Sequence, residues 1–265
     1  MSGPDPAPSV ASPDDMWRRQ LTVGTAIRWQ RRLRNRLPSS PRCKMCAAPF
    51  SGIGGLLMPL LGHPQWSKNP KYCTGCFQTL RANHGGAEIE CSLLFADVRG
   101  STSLAEQMSP IEFNRLMGRF YDAATSVLVD EGAIVDKFVG DEVIGIFIPA
   151  MATEAHGSHA ISAARRLLRD TGHGPGKTPW LPVGIGVNTA VAYVGSIGQG
   201  LDTEMTAMGD AVNTTARLSS VAGAGEILVP TEAALKAGME MGGLERRSLD
   251  LKGKSRAVEV VVLTA

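Results

Sequence analysis

From Glu88 onward the chain alternates between two hydrophobic periods. Ile89–Val98 (IECSLLFADV) is almost continuously apolar and reads as a buried strand, with Cys91 as a core thiol. Ser101–Glu131 carries helical spacing, and Ser109-Pro110 offers an N-cap and a first-turn proline inside it, so two helices are predicted. Ala133–Val139 and Glu142–Ile148 are short apolar runs joined at Gly140-Asp141, a hairpin signal. Glu154–Asp170 predicts a helix, Pro182–Asn188 and Val191–Ser196 two strands, and Gly209–Val221 a helix. Ile227–Val229, Thr231–Ala237, Leu249–Leu251 and Ala257–Leu263 predict a strand, a short helix and two closing strands. The order β-α-β-β-α-β, with additions, predicts an α+β fold: a ferredoxin-like βαββαβ sandwich with additional strands and helices over 88–265.

The preceding third has another texture. Residues 1–15 are rich in Pro, Ser and Ala and read as a flexible tail. Residues 16–38 hold seven arginines and no acid, with Trp17, Leu21, Ile27, Trp29 and Leu33 at loosely helical spacing until Pro38. Gly24 weakens that basic amphipathic helix. It suits an anionic membrane surface, nucleic acid or a protein partner; the plainer reading is a solvated connector or a dimer-contact helix. Residues 42–80 hold two CxxC pairs, Cys43/Cys46 and Cys73/Cys76, separated by a Gly- and Pro-rich insert of 26 residues.

Charge divides the chain at the same place, with a net of +9 over residues 1–87 and −7 over 88–265. Such asymmetry suggests two units with different jobs, the second of them, over 88–265, with its own core. The longest apolar stretch outside the strands, Ile53–Leu61, is broken by Gly54, Gly55 and Pro59 and falls short of the roughly 18 residues a spanning helix needs. The N-terminus lacks the charged-then-apolar order of a signal peptide, so the expectation is a cytoplasmic protein. In that compartment two CxxC pairs point to metal or redox chemistry rather than structural disulfides. Four thiolates at this spacing suit tetrahedral zinc, with His63 as a substitute ligand; an iron–sulfur cluster or redox thiols are the alternatives.

Asp97 ends the first apolar strand and precedes Val98-Arg-Gly-Ser-Thr102, a turn into a helix whose backbone N–H groups suit phosphate oxygens. Asp141 sits at the hairpin tip. Two carboxylates at neighbouring strand ends can hold two Mg²⁺ ions, although each alone reads more simply as a turn residue. Asn213 and Arg217 lie i,i+4 on one helix face, a pairing that suits phosphoryl transfer.

The runs LLFADVRGSTSLAE, DKFVGDEVIGIF and MTAMGDAVNTTARL together resemble the catalytic domain of class III nucleotidyl cyclases over about 88–265. The resemblance implies that Asp97 and Asp141, with the Val98 carbonyl, bind two Mg²⁺ or Mn²⁺ ions per site. It implies that the turn Val98, Gly100, Ser101 and Thr102 holds the triphosphate and that Lys252 contacts its terminal phosphates. Lys137 and Thr206 match the two purine-reading positions, Asn213 the ribose-orienting residue and Arg217 the transition-state arginine. Threonine at 206 departs from the commoner aspartate and places this chain near the threonine-variant adenylyl cyclases. A hydroxyl accepts a hydrogen bond from an adenine amino group but can also donate one. The implied activity is conversion of ATP to cyclic AMP in a homodimer whose sites are shared between chains. Guanylyl cyclase and a catalytically weak nucleotide sensor of the same fold are the alternatives. A zinc-bearing nucleic-acid adaptor is disfavoured by the few aromatic residues beside the arginines.

Overall fold

The computed structural model describes residues 12–37 and 41–265. The tail reading over 1–11 and the Pro38 breaker lie outside the described residues. In chain order the elements are α1 (Pro13–Thr22), α2 (Thr25–Asn35), α3 (Gly52–Leu57), α4 (Thr74–Ala82), β1 (Gly85–Val98), α5 (Ser101–Gln107) and α6 (Pro110–Asp130). The hairpin β2 (Ile134–Val139) and β3 (Glu142–Phe147) follows, then α7 (Pro149–Ala152), α8 (His156–Asp170), β4 (Val183–Ile197) and β5 (Glu204–Met208). The chain closes with α9 (Asp210–Val221), β6 (Ile227–Pro230), α10 (Thr231–Lys236), β7 (Glu245–Leu249) and β8 (Val258–Leu263).

One sheet runs in the order β2-β3-β1-β4-β6-β8-β7, with β5 paired to β4. Its β2-β3-β1-β4 part is the antiparallel sheet of a βαββαβ sandwich. The near-continuous apolar run of β1 follows from burial on both faces. Leu94, Ala96 and Val98 enter the core with Phe120, Val127 and Leu128 of α6 and Leu167 of α8. Ile89, Leu93 and Phe95 face a second core with Ile144, Ile146, Val194 and Met205. Ser109 and Glu112 form the reciprocal cap of α6, with Pro110 in its first turn as expected.

Two expectations from periodicity are corrected, and one strand has no counterpart in them. The predicted strands 182–188 and 191–196 are one strand, β4, which pairs with β1 along its whole length. Asn188-Thr189 imitates a break, but Thr189 Oγ1 is satisfied inside the sheet by Ser92 Oγ at 2.6 Å, and Ser92 in turn meets His156 Nδ1 at 2.8 Å. The strand expected at Leu249–Leu251 lies at Glu245–Leu249 instead, a polar edge strand paired to β8 alone. β5 was hidden in a segment whose buried members, Met205, Thr206 and Ala207, are not all apolar.

The expected single helix over 16–38 is two helices, and the first begins inside the expected tail. Ser12 caps α1 through a reciprocal bond pair with Asp15. The break falls at Gly24, where a Cβ would stand 1.9 Å from the Ala150 carbonyl oxygen of α7. Trp17 and Leu21 are buried against the sheet, whereas α2 buries two of its arginines. Arg31 and Arg34 are buried, whereas Trp29 and Leu33 are 58% and 57% exposed. The inward arginines donate to main-chain carbonyls: Arg31 to Met45 and Ala133, Arg34 to Cys46 at 3.2 Å. Hydropathy periodicity does not register that reward.

One core lies almost wholly within 88–265, under α6 and α8, whereas the cysteine segment has no core to itself. Cys43, Cys46, Tyr72, Cys73, Phe77 and Leu80 share one apolar cluster with β1, β3, β4 and β5. The cysteine segment is the cover of one sheet face. Among the described residues no helix is long and apolar enough to cross a membrane.

Candidate active site and cysteine centre

Asp97 and Asp141 are brought together as their sequence positions suggested. Asp97 pairs with Glu142 across β1 and β3, and the Val98 N–H donates to the Asp141 carbonyl at 3.3 Å. The donors assembled here are oxygens, the set a hard divalent cation takes. Sequence reasoning passed over two charged neighbours. Arg99 ion-pairs with Asp97 and donates to the Ser220 carbonyl at 2.7 Å, while Glu142 accepts from Ser219 Oγ at 3.0 Å. Burial lowers the Arg99 pKa against the opposing pull of Asp141 and Glu142, and burial raises that of Glu142. Arg99 was visible as the lone cation of the turn 98–102. Gly100 there takes a left-handed φ of 71° that admits a sharp entry into α5, whose N-terminus has no side-chain cap.

The C-terminal end of α9 packs on this acidic cluster through Ser219 and Ser220. Arg217 is two residues from Ser219, about 200° around the helix, and therefore points elsewhere. Its guanidinium packs over Gly253, so close that a Cβ there would stand 3.1 Å from Nη2. Asn213 is exposed on the same helix face as Arg217. Lys252 lies beside Gly253 and is exposed, while Lys254 ion-pairs with Asp210 of α9. One chain thus assembles Arg217 with the Lys252 turn but turns Arg217 away from Asp97 and Asp141.

Lys137 and Thr206 also meet. Lys137 Nζ lies 3.3 Å from Thr206 Oγ1, and the hydroxyl donates to Asp136 Oδ2 at 2.8 Å. Asp136 is 3% exposed, and its Oδ1 is buried without a partner among the described residues. Burial pushes its pKa above the ordinary carboxylate value, opposed by the Thr206 bond and by Lys137 and Lys44. Sequence reasoning missed Asp136. Its one signal was a carboxylate inside an apolar strand, and its partner Thr206 is 70 residues away.

The four cysteines of the two CxxC pairs converge, with all four sulfurs within 4.8 Å of one another, and this cluster could hold a metal ion. A tetrahedral ion with metal–sulfur bonds of about 2.3 Å sets its sulfurs about 3.8 Å apart. Cys46 and Cys73 stand at 3.7 Å. His63 Nδ1 lies 3.4 Å from the Cys73 sulfur, beside the four thiols. Burial holds the Cys43 thiol well above its ordinary pKa, and the hydrogen bond from Cys43 brings Cys46 down to about 7.

Charge around the cluster is consistent with an anionic centre. Arg31 is 3% exposed and has no carboxylate partner among the described residues. Burial lowers its pKa to about 10, and Cys46, Cys43 and Cys76 oppose the shift. A buried guanidinium needs a counter-charge, and four thiolates around a divalent cation supply one.

Both knuckles grip the strands that carry Lys137 and Thr206. Lys44, inside the first CxxC, donates to the Asp136 carbonyl. Tyr72, next to Cys73, accepts from the Met205 N–H at 3.1 Å, Lys71 ion-pairs with Glu204, and Asn69 donates to the Leu201 carbonyl at 3.2 Å.

Residues 87–264 match the family model described as the adenylate and guanylate cyclase catalytic domain. An adenylate cyclase of Anabaena cylindrica is 30% identical over 134 residues, 49% of this chain and 27% of its own length. The terminal-differentiation-specific adenylate cyclase of Dictyostelium discoideum is 28% identical over 177 residues, 64% of this chain and 8% of its own. The chain therefore spans about a quarter or less of these curated relatives. Among solved structures, the guanylyl cyclase Cya2 superposes with a TM-score of 0.60 at 27% identity, covering 67% of this chain and 93% of its own. The adenylyl cyclase CyaB of P. aeruginosa gives 0.58 at 26% identity, covering 68% and 96%. The cysteine segment precedes the family match.

Proposed function

The chain belongs to the adenylate and guanylate cyclase catalytic domain family, and from that membership we propose that it converts ATP to 3′,5′-cyclic AMP and pyrophosphate. The observation that carries the choice of base is the contact of Lys137 with Thr206. An ammonium group donates to the N1 acceptor of adenine, whereas guanine presents an N–H at that position.

Asp97 and Asp141 offer the oxygen donors for Mg²⁺ or Mn²⁺. When bound, the metal supplies Lewis-acid activation of the ribose 3′-hydroxyl and charge neutralisation on the phosphates. The chain's own residues do the rest. Asn213 orients the ribose, the turn 98–102 and Lys252 hold the phosphates, and Arg217 meets charge developing on the α-phosphoryl oxygens. Because Arg217 faces away from Asp97 in its own chain, the complete site takes its acids from one protomer and Lys137, Thr206, Asn213 and Arg217 from its partner.

The cysteine centre is read as a zinc site. Four sulfurs within 4.8 Å of one another suit a single ion, whereas a multi-iron cluster spreads its cysteines further apart. Elemental analysis is expected to find about one zinc per chain; iron in its place would overturn the assignment.

ATP is expected to be preferred over GTP, and Lys137→Glu with Thr206→Cys to erode or reverse that preference. Both changes alter the groups facing the purine edge. Equal kcat/KM for the two nucleotides in the unmodified chain would defeat the proposal.

A further inference from the structure

A threonine hydroxyl is ambivalent toward a purine. As an acceptor it suits the 6-amino group of adenine; as a donor it suits the 6-oxo group of guanine. The side chains around Thr206 remove that ambivalence. Its Oγ1 has one proton, and a carboxylate oxygen, Asp136 Oδ2, stands 2.8 Å away. Ionised, that oxygen can only accept, so the proton is spent on it. Lys137 Nζ, 3.3 Å from the same oxygen, can only donate, and takes up one lone pair. What Thr206 then offers a ligand is its remaining lone pair.

We propose that Asp136 is a specificity-determining residue: by taking the Thr206 proton, it makes the hydroxyl an obligate acceptor and selects a 6-aminopurine nucleotide over a 6-oxopurine one. The inference rests on the reading of Lys137 and Thr206 as the purine-contacting pair. Asp136 is a positioning residue that acts through Thr206.

Its placement suits the task. Asp136 is 3% exposed, so water does not compete for the carboxylate, and Lys137 lies 3.4 Å from the same Oδ2. The Asp136 carbonyl is gripped by Lys44 from the first cysteine knuckle, and the Met205 N–H beside Thr206 is held by Tyr72 from the second. Both ends of the Asp136–Thr206 bond are thereby tied to the cysteine segment. The carboxylate that commoner adenylyl cyclase sequences place at the position of Thr206 is, in this chain, supplied one layer back by Asp136.

The test is Asp136→Asn, which keeps the shape but can present an amide N–H to Thr206 and free the hydroxyl to donate outward. The ratio of kcat/KM for ATP to that for GTP should fall at least about tenfold, through a higher KM for ATP and a lower one for GTP. Zinc content and melting temperature are measured in parallel. A purely structural defect would lower both nucleotides together. Thr206→Val, nearly isosteric, should shift the ratio as well, and Asp136→Asn should add nothing to it in the double variant. Thr206→Asp carries an acceptor with no proton to orient, so it should restore ATP preference in the Asp136→Asn chain. If Thr206→Val leaves the ratio unchanged, the purine reading itself fails and this inference falls with it. If Thr206→Val shifts the ratio while Asp136→Asn does not, the purine reading stands and the role of Asp136 is wrong.

Discussion

Asp97→Ala and Arg217→Ala are each expected to be nearly inactive alone and to recover activity together. Removing a transition-state donor such as Arg217 typically costs about 10²–10³ in rate, and removing a metal-holding carboxylate should cost more. Mixed in equal amounts and allowed to exchange, half the dimers are hybrids. Each hybrid carries one doubly damaged site and one intact site, so the mixture should reach about a quarter of the unmodified activity. The geometry behind this lies in α9. Ser219 faces Glu142, while Arg217, about 200° away around the helix, packs over Gly253. Within one chain Arg217 is thus engaged with the turn at Gly253 and not with the Asp97 and Asp141 carboxylates. Confirmed exchange with no recovery would contradict the shared site.

The second large effect concerns the cysteine centre. Chelation, or Cys43→Ser with Cys73→Ser, is expected to remove the metal and destabilise the whole chain rather than an appendage. The sulfurs sit in one apolar cluster with Ile89, Leu93, Phe95 and Val194 of the sheet. Losing the ion also leaves Arg31 buried without a counter-charge, which is costly. Structural zinc contributes folding energy directly, and each kcal/mol lost moves the melting temperature of a domain this size by about 2–4 °C. A drop of about 10 °C or more in a single transition is expected. Because Lys44 and Tyr72 tie the knuckles to Asp136 and Met205, KM for ATP should rise in metal-depleted chain that remains folded. A metal-free chain with unchanged melting temperature and unchanged KM would show that the cluster is idle.

What the sequence disclosed and what it withheld divide along a physical line. Local grammar was readable. Ser109-Pro110 opened α6, Gly140-Asp141 turned the hairpin, and two CxxC pairs met across a long insert. Features set by partners distant in sequence were not. Asn188-Thr189 resembled a break because nothing local reveals that Ser92 will satisfy Thr189. Arg31 and Arg34 looked like a solvated face because their acceptors are the carbonyls of Met45, Ala133 and Cys46. Apolar periodicity therefore did not disclose that α2 buries these two arginines and exposes Trp29 and Leu33. Asp136 stayed anonymous for the same reason, since its meaning depends on Thr206 in another strand.

The candidate site shows the same division. The resemblance pointed to the site residues, and the structure brings Asp97 beside Asp141 and Lys137 beside Thr206. It also added Arg99 and Glu142 to the acids and set Lys254 rather than Lys252 against α9. These additions are charges whose consequences depend on burial, which composition does not encode.

The central claim is tested most directly by incubating the full chain with ATP or GTP in the presence of Mg²⁺ or Mn²⁺ and identifying the products. 3′,5′-Cyclic AMP and equimolar pyrophosphate are expected from ATP, with cyclic GMP a minor product from GTP. A folded, dimeric chain that releases no cyclic nucleotide, or that makes cyclic GMP in excess, would contradict it.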